Sequence, residues 1–227
     1  KKNVKDLLTA ALEKIDDQKV DLKKEPQTKK IVDEIRNQKF VISAINKKDV
    51  KRNAPPPFIT STLQQEAFSK LGFNTARTMM IAQELYEGIE VGEEDPVGLI
   101  TYMRTDSVNI ANEALDKVRA YIQKNHGADF LPETPNKFKS KKSAQEAHEA
   151  IRPSDVLRKP DELRDFLTED QYRLYNLIWK RFISCQMTPA VFSQTKIEIM
   201  AGRFQFGVSG SILSFTGYLA MYRDNED

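Results

Sequence analysis

The protein has 227 residues, of which 40% are hydrophobic and 30% are charged, and its mean hydropathy is −0.55. This composition excludes collagen-like and low-complexity disordered chains. It also excludes a membrane protein, because no apolar run approaches the roughly 18–20 residues that a spanning helix needs. The single cysteine, Cys185, excludes a disulfide framework and a cysteine-based zinc site. It is compatible with a reducing compartment such as the cytoplasm.

The net charge of +2 conceals an uneven distribution along the chain. Residues 1–58 carry 15 basic against 9 acidic side chains, residues 59–188 carry 17 against 20, and residues 189–227 carry 3 against 4. A basic opening segment attracts polyanions such as nucleic acids, but an ordinary solvated surface has the same composition. Charge alone leaves both interpretations open.

The opening region has mostly strand-like patterning. The turn residues Asp16-Asp17 and the alternation over residues 19–22 favour a hairpin, although residues 7–15 alone could form a short helix. Apolar residues at helical spacing predict a helix over 27–38. Residues 40–45 then have the composition of a strand, which we expect to end in a loop at Lys47-Lys48-Asp49.

The clearest boundary is Pro55-Pro56-Pro57, because three prolines cannot continue a helix or a central strand. Beyond it the hydrophobic spacing becomes helical. Capping and glycine signals place helices after Thr62, after Thr75, over 114–126, between Ser143 and Pro153, and after Thr168. Residues 132–142 read as an exposed loop.

Beyond Pro189 apolar and polar residues alternate again, and glycines between the alternating stretches predict the turns of a short β-meander. The chain is therefore strand-rich at both ends and helical in the middle. We predict an α+β fold in which the two ends form one β-rich domain and the helical block is inserted into it, as closely spaced termini allow.

The densest polar motif surrounds Tyr102, in the stretch from Gly98 to Ser107. Tyrosine can act as a covalent nucleophile, and the guanidinium of Arg104 suits phosphate oxygens. The hydroxyl of Thr105 can add a donor, and Asp106 can orient Arg104 or cap the following helix. These residues fit attack on a phosphodiester, but the spacing alone equally describes a strand end followed by a polar turn.

A second motif contains His148 and Arg152. Their four-residue separation would place both side chains on one face of a helical turn, where they could share a phosphate. A surface helix with a packing or capping histidine has the same pattern. The sequence otherwise contains no Walker-type phosphate loop, and the acidic cluster Glu93-Glu94-Asp95 lacks the spacing of a calcium loop. We therefore expect no metal site in this chain.

Four segments in combination are far more specific than any one of them. They are Pro56–Gln65, Thr78–Gln83, Thr101–Ser107 and Gln145–Pro153, and in this order they closely resemble type IA DNA topoisomerases. Residues 174–182 and Gln186-Met187 match as well, so the resemblance covers most of the chain and is weakest over residues 1–40. The Tyr-Met-Arg form, with Met103, is most similar to the bacterial topoisomerase I branch.

The resemblance implies roles for individual residues. Tyr102 would attack one DNA strand and remain attached to its 5′ phosphate, Arg104 would stabilise the phosphate, and His148 would contact the region of the scissile phosphate. Thr105, Asp106 and Arg152 would support DNA binding. It also implies that residues 59–188 form a mainly helical, winged-helix-like tyrosine domain inserted into an arch formed by residues 1–58 and 189–227.

The resemblance further implies that this chain is a fragment. The family's Toprim domain, which holds Mg²⁺ through an acidic cluster, is missing from the sequence, so we expect no cofactor here, Mg²⁺ in the full enzyme and no activity of the fragment alone. The expected partners are single-stranded or underwound DNA and the remaining domains of one monomeric polypeptide. The expected location is the cytoplasm, at the bacterial nucleoid. Two alternatives are a non-catalytic module that binds single-stranded nucleic acid and a metal-free tyrosine phosphodiesterase or recombinase.

Overall fold

The structure is a computed structural model that describes residues 8–92, 95–139 and 148–223. The chain divides into two compact units. The sheet unit comprises residues up to Lys51 together with Val191–Phe215, and the helical unit comprises Arg52–Ala190 together with the residues from Thr216 onward. The predicted α+β class, with a helical block inserted between strand-rich ends, is therefore confirmed.

Within the described residues, the sheet unit contains five strands in the order β2-β1-β5-β4-β3. The strands are β1 (Ala11–Ile15), β2 (Gln18–Lys19), β3 (Phe40–Arg52), β4 (Ala190–Ala201) and β5 (Phe204–Phe215). The pairs β1–β2, β1–β5 and β4–β5 are antiparallel. Helix α1 (Glu25–Arg36) contributes Ile31 to a core that also contains Ala201 and Phe204. The amphipathic spacing of α1 is thus explained by packing on the sheet.

The predicted hairpin is confirmed, and its turn residues Asp16 and Asp17 both have positive φ. The predicted loop at Lys47-Lys48-Asp49 is wrong, because β3 continues to Arg52. β3 is an edge strand whose side chains are almost all exposed. Pairing through the backbone with β4 therefore tolerates lysine and aspartate at these positions.

The helical unit contains α2 (Thr60–Glu66), which continues into a π-helical turn (Ala67–Leu71), then α3 (Thr75–Glu87), α4 (Asn112–His126) and α5 (Glu169–Cys185). Short 3₁₀ turns occupy Ala128–Phe130, Pro160–Phe166 and Gly217–Ala220. Helix α5 forms the centre of the core, with Leu174, Tyr175 and Ile178 fully buried. The predicted capping box at its start is confirmed, since the Gln171 N–H donates to the Thr168 hydroxyl at 3.3 Å.

Two helix predictions need correction. Helix α2 begins at Thr60 rather than after Thr62, because the Thr62 hydroxyl accepts from the Ile59 N–H at 3.0 Å and so acts within the first turn. The predicted helix between Ser143 and Pro153 starts outside the described residues, and residues 148–153 are not helical. There the Ile151 N–H donates to the Phe58 carbonyl at 2.8 Å, so the backbone pairs with a distant segment instead of its own turn.

The end of the chain also departs from the predicted boundaries. Residues from Thr216 belong to the helical unit, whereas the sequence places all of 189–227 in the β-rich domain. The Tyr218 N–H donates to the Thr188 carbonyl at 3.0 Å, and Tyr218 and Tyr222 are both buried. Burial of these two rings against the helices explains the assignment. No helix within the described residues is long and apolar enough to cross a membrane.

Candidate active site

The segment that carries Tyr102 alternates between exposed and buried side chains. Met103, Thr105 and Ser107 are buried. Tyr102, Arg104 and Asp106 are exposed, and 47% of Tyr102 is accessible to solvent. Three predicted site residues of this segment are therefore exposed together. Thr105 is buried instead, and its hydroxyl accepts from the Ser107 N–H at 3.0 Å.

Thr60, the first residue of α2, holds this segment from within. Its hydroxyl donates to the carbonyl oxygens of Met103 at 2.8 Å and Thr105 at 3.0 Å. The Thr105 N–H donates back to the same hydroxyl at 2.9 Å. These bonds fix the backbone on either side of Arg104, which makes Thr60 a positioning residue. No local pattern in the sequence pointed to this role.

Thr101 holds the segment to the second predicted motif. Its hydroxyl donates to the Ala150 carbonyl at 2.7 Å and accepts from the Arg152 N–H at 3.0 Å, and its own N–H donates to the Arg152 carbonyl at 2.9 Å. Because Thr101 adjoins Tyr102 and Ala150 follows His148 by two residues, the structure brings the two motifs together. His148 is exposed at this junction. The two motifs meet through backbone that is not helical, so the prediction of a helical turn containing His148 and Arg152 is wrong.

Arg152 is engaged inside the protein. Its Nη2 donates to Glu149 at 2.7 Å and its Nη1 to the Pro153 carbonyl at 2.9 Å, and its side chain is only 11% exposed. The other carboxylate oxygen of Glu149 accepts from the Ala111 N–H at 2.7 Å, directly before α4. Arg152 and Glu149 therefore connect the His148 segment to the start of α4. The Nε of Arg152 is buried without a hydrogen-bond partner in the structure.

A second tyrosine contacts Tyr102. The ring of Tyr86, near the end of α3, lies 5.3 Å from the ring of Tyr102 at an interplanar angle of 59°. The close approach of the two segments depends on Gly98, because a Cβ atom there would lie 2.7 Å from the Tyr86 carbonyl oxygen. The Leu99 N–H also donates to the Leu85 carbonyl at 2.7 Å. No pattern in the sequence indicated this contact.

Comparison with known proteins supplies the family. The sequence model described as DNA topoisomerase matches residues 3–227. DNA topoisomerase 1 of Rickettsia felis is 44% identical over 98% of this chain, and that of Xylella fastidiosa is 49% identical over 82%. The structure of full-length topoisomerase I from Thermotoga maritima superposes with a TM-score of 0.77 and 35% identity over 96% of this chain. The chain belongs to the DNA topoisomerase family.

The chain corresponds to part of a bacterial DNA topoisomerase I. It spans 29% of the Rickettsia felis relative, 23% of the Xylella fastidiosa relative and 34% of the Thermotoga maritima chain. The resemblance inferred from the sequence motifs is confirmed at the level of the family. The roles of individual residues remain predictions.

Most other tyrosines of this topoisomerase chain are poorly placed for nucleophilic attack. Burial raises the pKa of Tyr175, whose hydroxyl donates to the Arg158 carbonyl at 2.7 Å. Burial also raises the pKa of Tyr121, and a hydrogen bond to Asp161 raises that of Tyr172. Tyr218 and Tyr222 are buried as well. Of the described tyrosines, Tyr102 and Tyr86 are the most exposed, and only Tyr102 lies among the predicted phosphate-binding residues.

The described residues contain no group of three or more histidine, cysteine, aspartate or glutamate side chains that could hold a metal ion. Glu93 and Glu94 of the acidic cluster noted in the sequence lie outside the described residues.

Proposed function

We propose that this chain is the tyrosine-bearing part of a type IA topoisomerase that opens one DNA strand by transesterification. The phenol oxygen of Tyr102 loses its proton and attacks a backbone phosphorus. A tyrosine–phosphate ester forms at the 5′ end, and the bond from phosphorus to the departing 3′ oxygen breaks. The other strand passes through the gap, and attack by the 3′ hydroxyl reverses the step. The ester conserves the energy of the broken bond, so relaxation of negative supercoils needs no ATP.

The observation that carries this proposal is the shared exposure of Tyr102 and Arg104 on a segment joined to the His148 segment. A phosphate that reaches the Tyr102 oxygen would be close to both neighbouring motifs. In that position the Arg104 guanidinium would stabilise charge on the phosphate oxygens, and the His148 imidazole would contact the phosphate region. Asp106, on the same exposed side, would orient Arg104.

Two further residues have supporting roles in the proposal. Thr105 holds the backbone beside Arg104 through its bonds to Thr60 and Ser107. Arg152, whose side chain is engaged with Glu149, would act mainly by holding the His148 segment in place. We propose that a Toprim domain of the full polypeptide holds Mg²⁺ and that the steps assigned to this chain use only its own side chains.

The helical unit is the proposed tyrosine domain, and the sheet unit is the proposed arch. We propose single-stranded or underwound DNA as the substrate, other domains of one polypeptide as the partners, and a monomer at the bacterial nucleoid as the working form. Strand-rich and helical units that alternate along one chain support this assignment.

The test is covalent capture of DNA by a polypeptide that joins this chain to a Toprim domain, resolved on a denaturing gel. We expect an adduct with the unsubstituted protein and none with Tyr102→Phe, since phenylalanine lacks the attacking oxygen. Tyr86→Phe is the matched control, because it removes the hydroxyl of the adjacent exposed tyrosine, and we expect it to retain the adduct.

An adduct that persists in Tyr102→Phe and disappears in Tyr86→Phe would reassign the nucleophile. A complete polypeptide that binds DNA but forms no adduct and relaxes no supercoils with Mg²⁺ present would instead support the non-catalytic binding module. Cleavage by the 227-residue chain alone would support the independent phosphodiesterase.

A further inference from the structure

The helical unit contains a second candidate site, a cavity of about 360 Å³ between α5, the end of the π-helical turn and the residues after Gly217. We call it the cationic pocket. Its polar and aromatic lining consists of Lys70, Arg173, Asn176, Lys180, Tyr222 and Arg223. None of its lining residues belongs to the Tyr102 or His148 segments.

Every charged side chain that lines the cationic pocket is basic. The acidic residue nearest to it in the hydrogen-bond network is Glu66, which is already engaged. Glu66 accepts from Arg181 at 2.5 Å and from the Tyr222 hydroxyl, and it pairs with Lys70 at 3.3 Å. Among the described residues, one carboxylate is shared between Lys70 and Arg181, so the lining of the pocket carries excess positive charge, which attracts anions.

Arg173, Lys180 and Arg223 retain unused donors. Arg173 donates from Nη2 to the Leu71 carbonyl at 3.1 Å, which leaves the rest of its guanidinium available. The side chains of Lys180 and Arg223 form no ion pair or hydrogen bond with any residue in the part of the chain that the structure describes. Planar guanidinium groups bind phosphate oxygens through two parallel hydrogen bonds, so free donors of this kind suit phosphate.

The polar and basic side chains on α5 are far enough apart to contact more than one phosphate. Arg173, Asn176 and Lys180 occupy one face of α5 at three- and four-residue intervals, and Arg173 and Lys180 are about 10 Å apart along the helix axis. A DNA strand carries one phosphate per nucleotide, so a span of this length can contact more than one phosphate. We propose that the cationic pocket binds the phosphodiester backbone of a DNA strand at a position other than the one that Tyr102 cleaves. This proposal rests on the proposed function.

The binding experiment uses the 227-residue chain with Tyr102→Phe, so that only non-covalent binding is measured. Fluorescence anisotropy follows a labelled single-stranded oligonucleotide at several chloride concentrations. In the double variant Lys180→Ala/Arg223→Ala we expect the salt dependence of log K to become shallower by about 1.4, because each single-strand phosphate contact contributes about 0.7. The same relation predicts a loss of affinity of about 25-fold at 0.1 M salt.

The matched control is Lys124→Ala/Lys137→Ala, which removes two exposed lysines from the same unit outside the cationic pocket. We expect this control to change the slope by much less than the pocket variant. Equal effects of the two double variants would overturn the proposal, since they would show a response to net charge alone. No effect of the pocket variant would also overturn it.

A further arm separates DNA backbone from free phosphate. Potassium phosphate at the ionic strength of the potassium chloride buffer should displace no more oligonucleotide than chloride does. Selective displacement by phosphate would identify a free-phosphate site and overturn the proposal. The adduct assay is independent of this measurement. If Tyr102 forms the adduct but substitution of Lys180 and Arg223 does not change DNA binding, only the pocket proposal is contradicted. If the pocket variant weakens DNA binding but Tyr102 forms no adduct, only the proposed reaction is contradicted.

Discussion

Thr60 and Thr105 are 45 residues apart in sequence and are joined by reciprocal hydrogen bonds. The Thr60 N–H donates to the Thr105 carbonyl at 2.9 Å, and the Thr105 N–H donates to the Thr60 hydroxyl at 2.9 Å. The start of α2 is therefore attached to the backbone next to Arg104. This attachment fixes the backbone of a segment whose candidate site residues are exposed to solvent.

Replacement of Thr60 by valine should destabilise the helical unit and disturb the candidate site. Valine keeps the shape of threonine but leaves the Thr105 N–H and the Met103 carbonyl without this partner, at a cost of about 1–3 kcal/mol in the free energy of unfolding. Urea denaturation followed by fluorescence of the single tryptophan, Trp179 in α5, measures the loss. Thr75→Val, at the exposed start of α3, should change the free energy of unfolding by less than about 0.5 kcal/mol. Equal stability of Thr60→Val and the unsubstituted protein would contradict this role.

Glu149→Ala should lower the free energy of unfolding by more than the removal of an exposed ion pair does. It would leave the largely buried Arg152 without its carboxylate and the Ala111 N–H without its acceptor, which we expect to lower the free energy of unfolding by about 1–3 kcal/mol. The control Glu113→Ala removes the exposed pair with Lys117 on α4, where solvent screens the interaction and we expect a much smaller loss of stability. If the urea denaturation curves of the two variants coincide, Glu149 does not stabilise the His148 segment.

Gly98→Ala should reduce formation of the Tyr102 adduct as well as stability. Its Cβ would meet the Tyr86 carbonyl, which is backbone, so the Tyr102 segment or α3 must shift at a cost of about 1–3 kcal/mol. Gly72→Ala is a useful comparison, because its Cβ meets no atom within 4 Å but its φ of +72° imposes strain of about 1–2 kcal/mol. The adduct assay in the complete polypeptide should show a loss for Gly98→Ala and near-normal yield for Gly72→Ala. Similar adduct yields from the two variants would show that Gly98 does not affect the candidate site.

Cys185 should not react in the folded protein. Burial raises the pKa of its thiol to about 12, so at pH 8 it is almost wholly protonated, and the thiolate is the reactive form. With an aromatic disulfide reagent at pH 8 we expect no absorbance change in native protein and one equivalent of thiol after denaturation. Because labelling then requires opening of the core around α5, its rate should rise with urea in parallel with unfolding. Complete labelling of native protein within seconds would contradict the burial of this side chain.

The sequence by itself determined the local elements and singled out the candidate motif around Tyr102. The capping pair Thr168 and Gln171 marked the start of α5, and alternation beyond Pro189 marked β4 and β5, because these signals act between residues close in the chain. Tyr102 could be distinguished from the other tyrosines for a similar reason, because its polar neighbours adjoin it in sequence. The order of four motifs then indicated the family that the comparisons show.

The tertiary structure alone decided how those elements are used. Partners distant in sequence hold residues 148–153 extended, continue β3 through two lysines, and attach Thr216–Arg223 to the helical unit. The roles of Thr60 and Glu149 likewise depend on backbone groups about 40 residues away. A hydroxyl or carboxylate has no such role until folding places a donor or acceptor beside it, and a buried backbone group must find a partner wherever the fold supplies one.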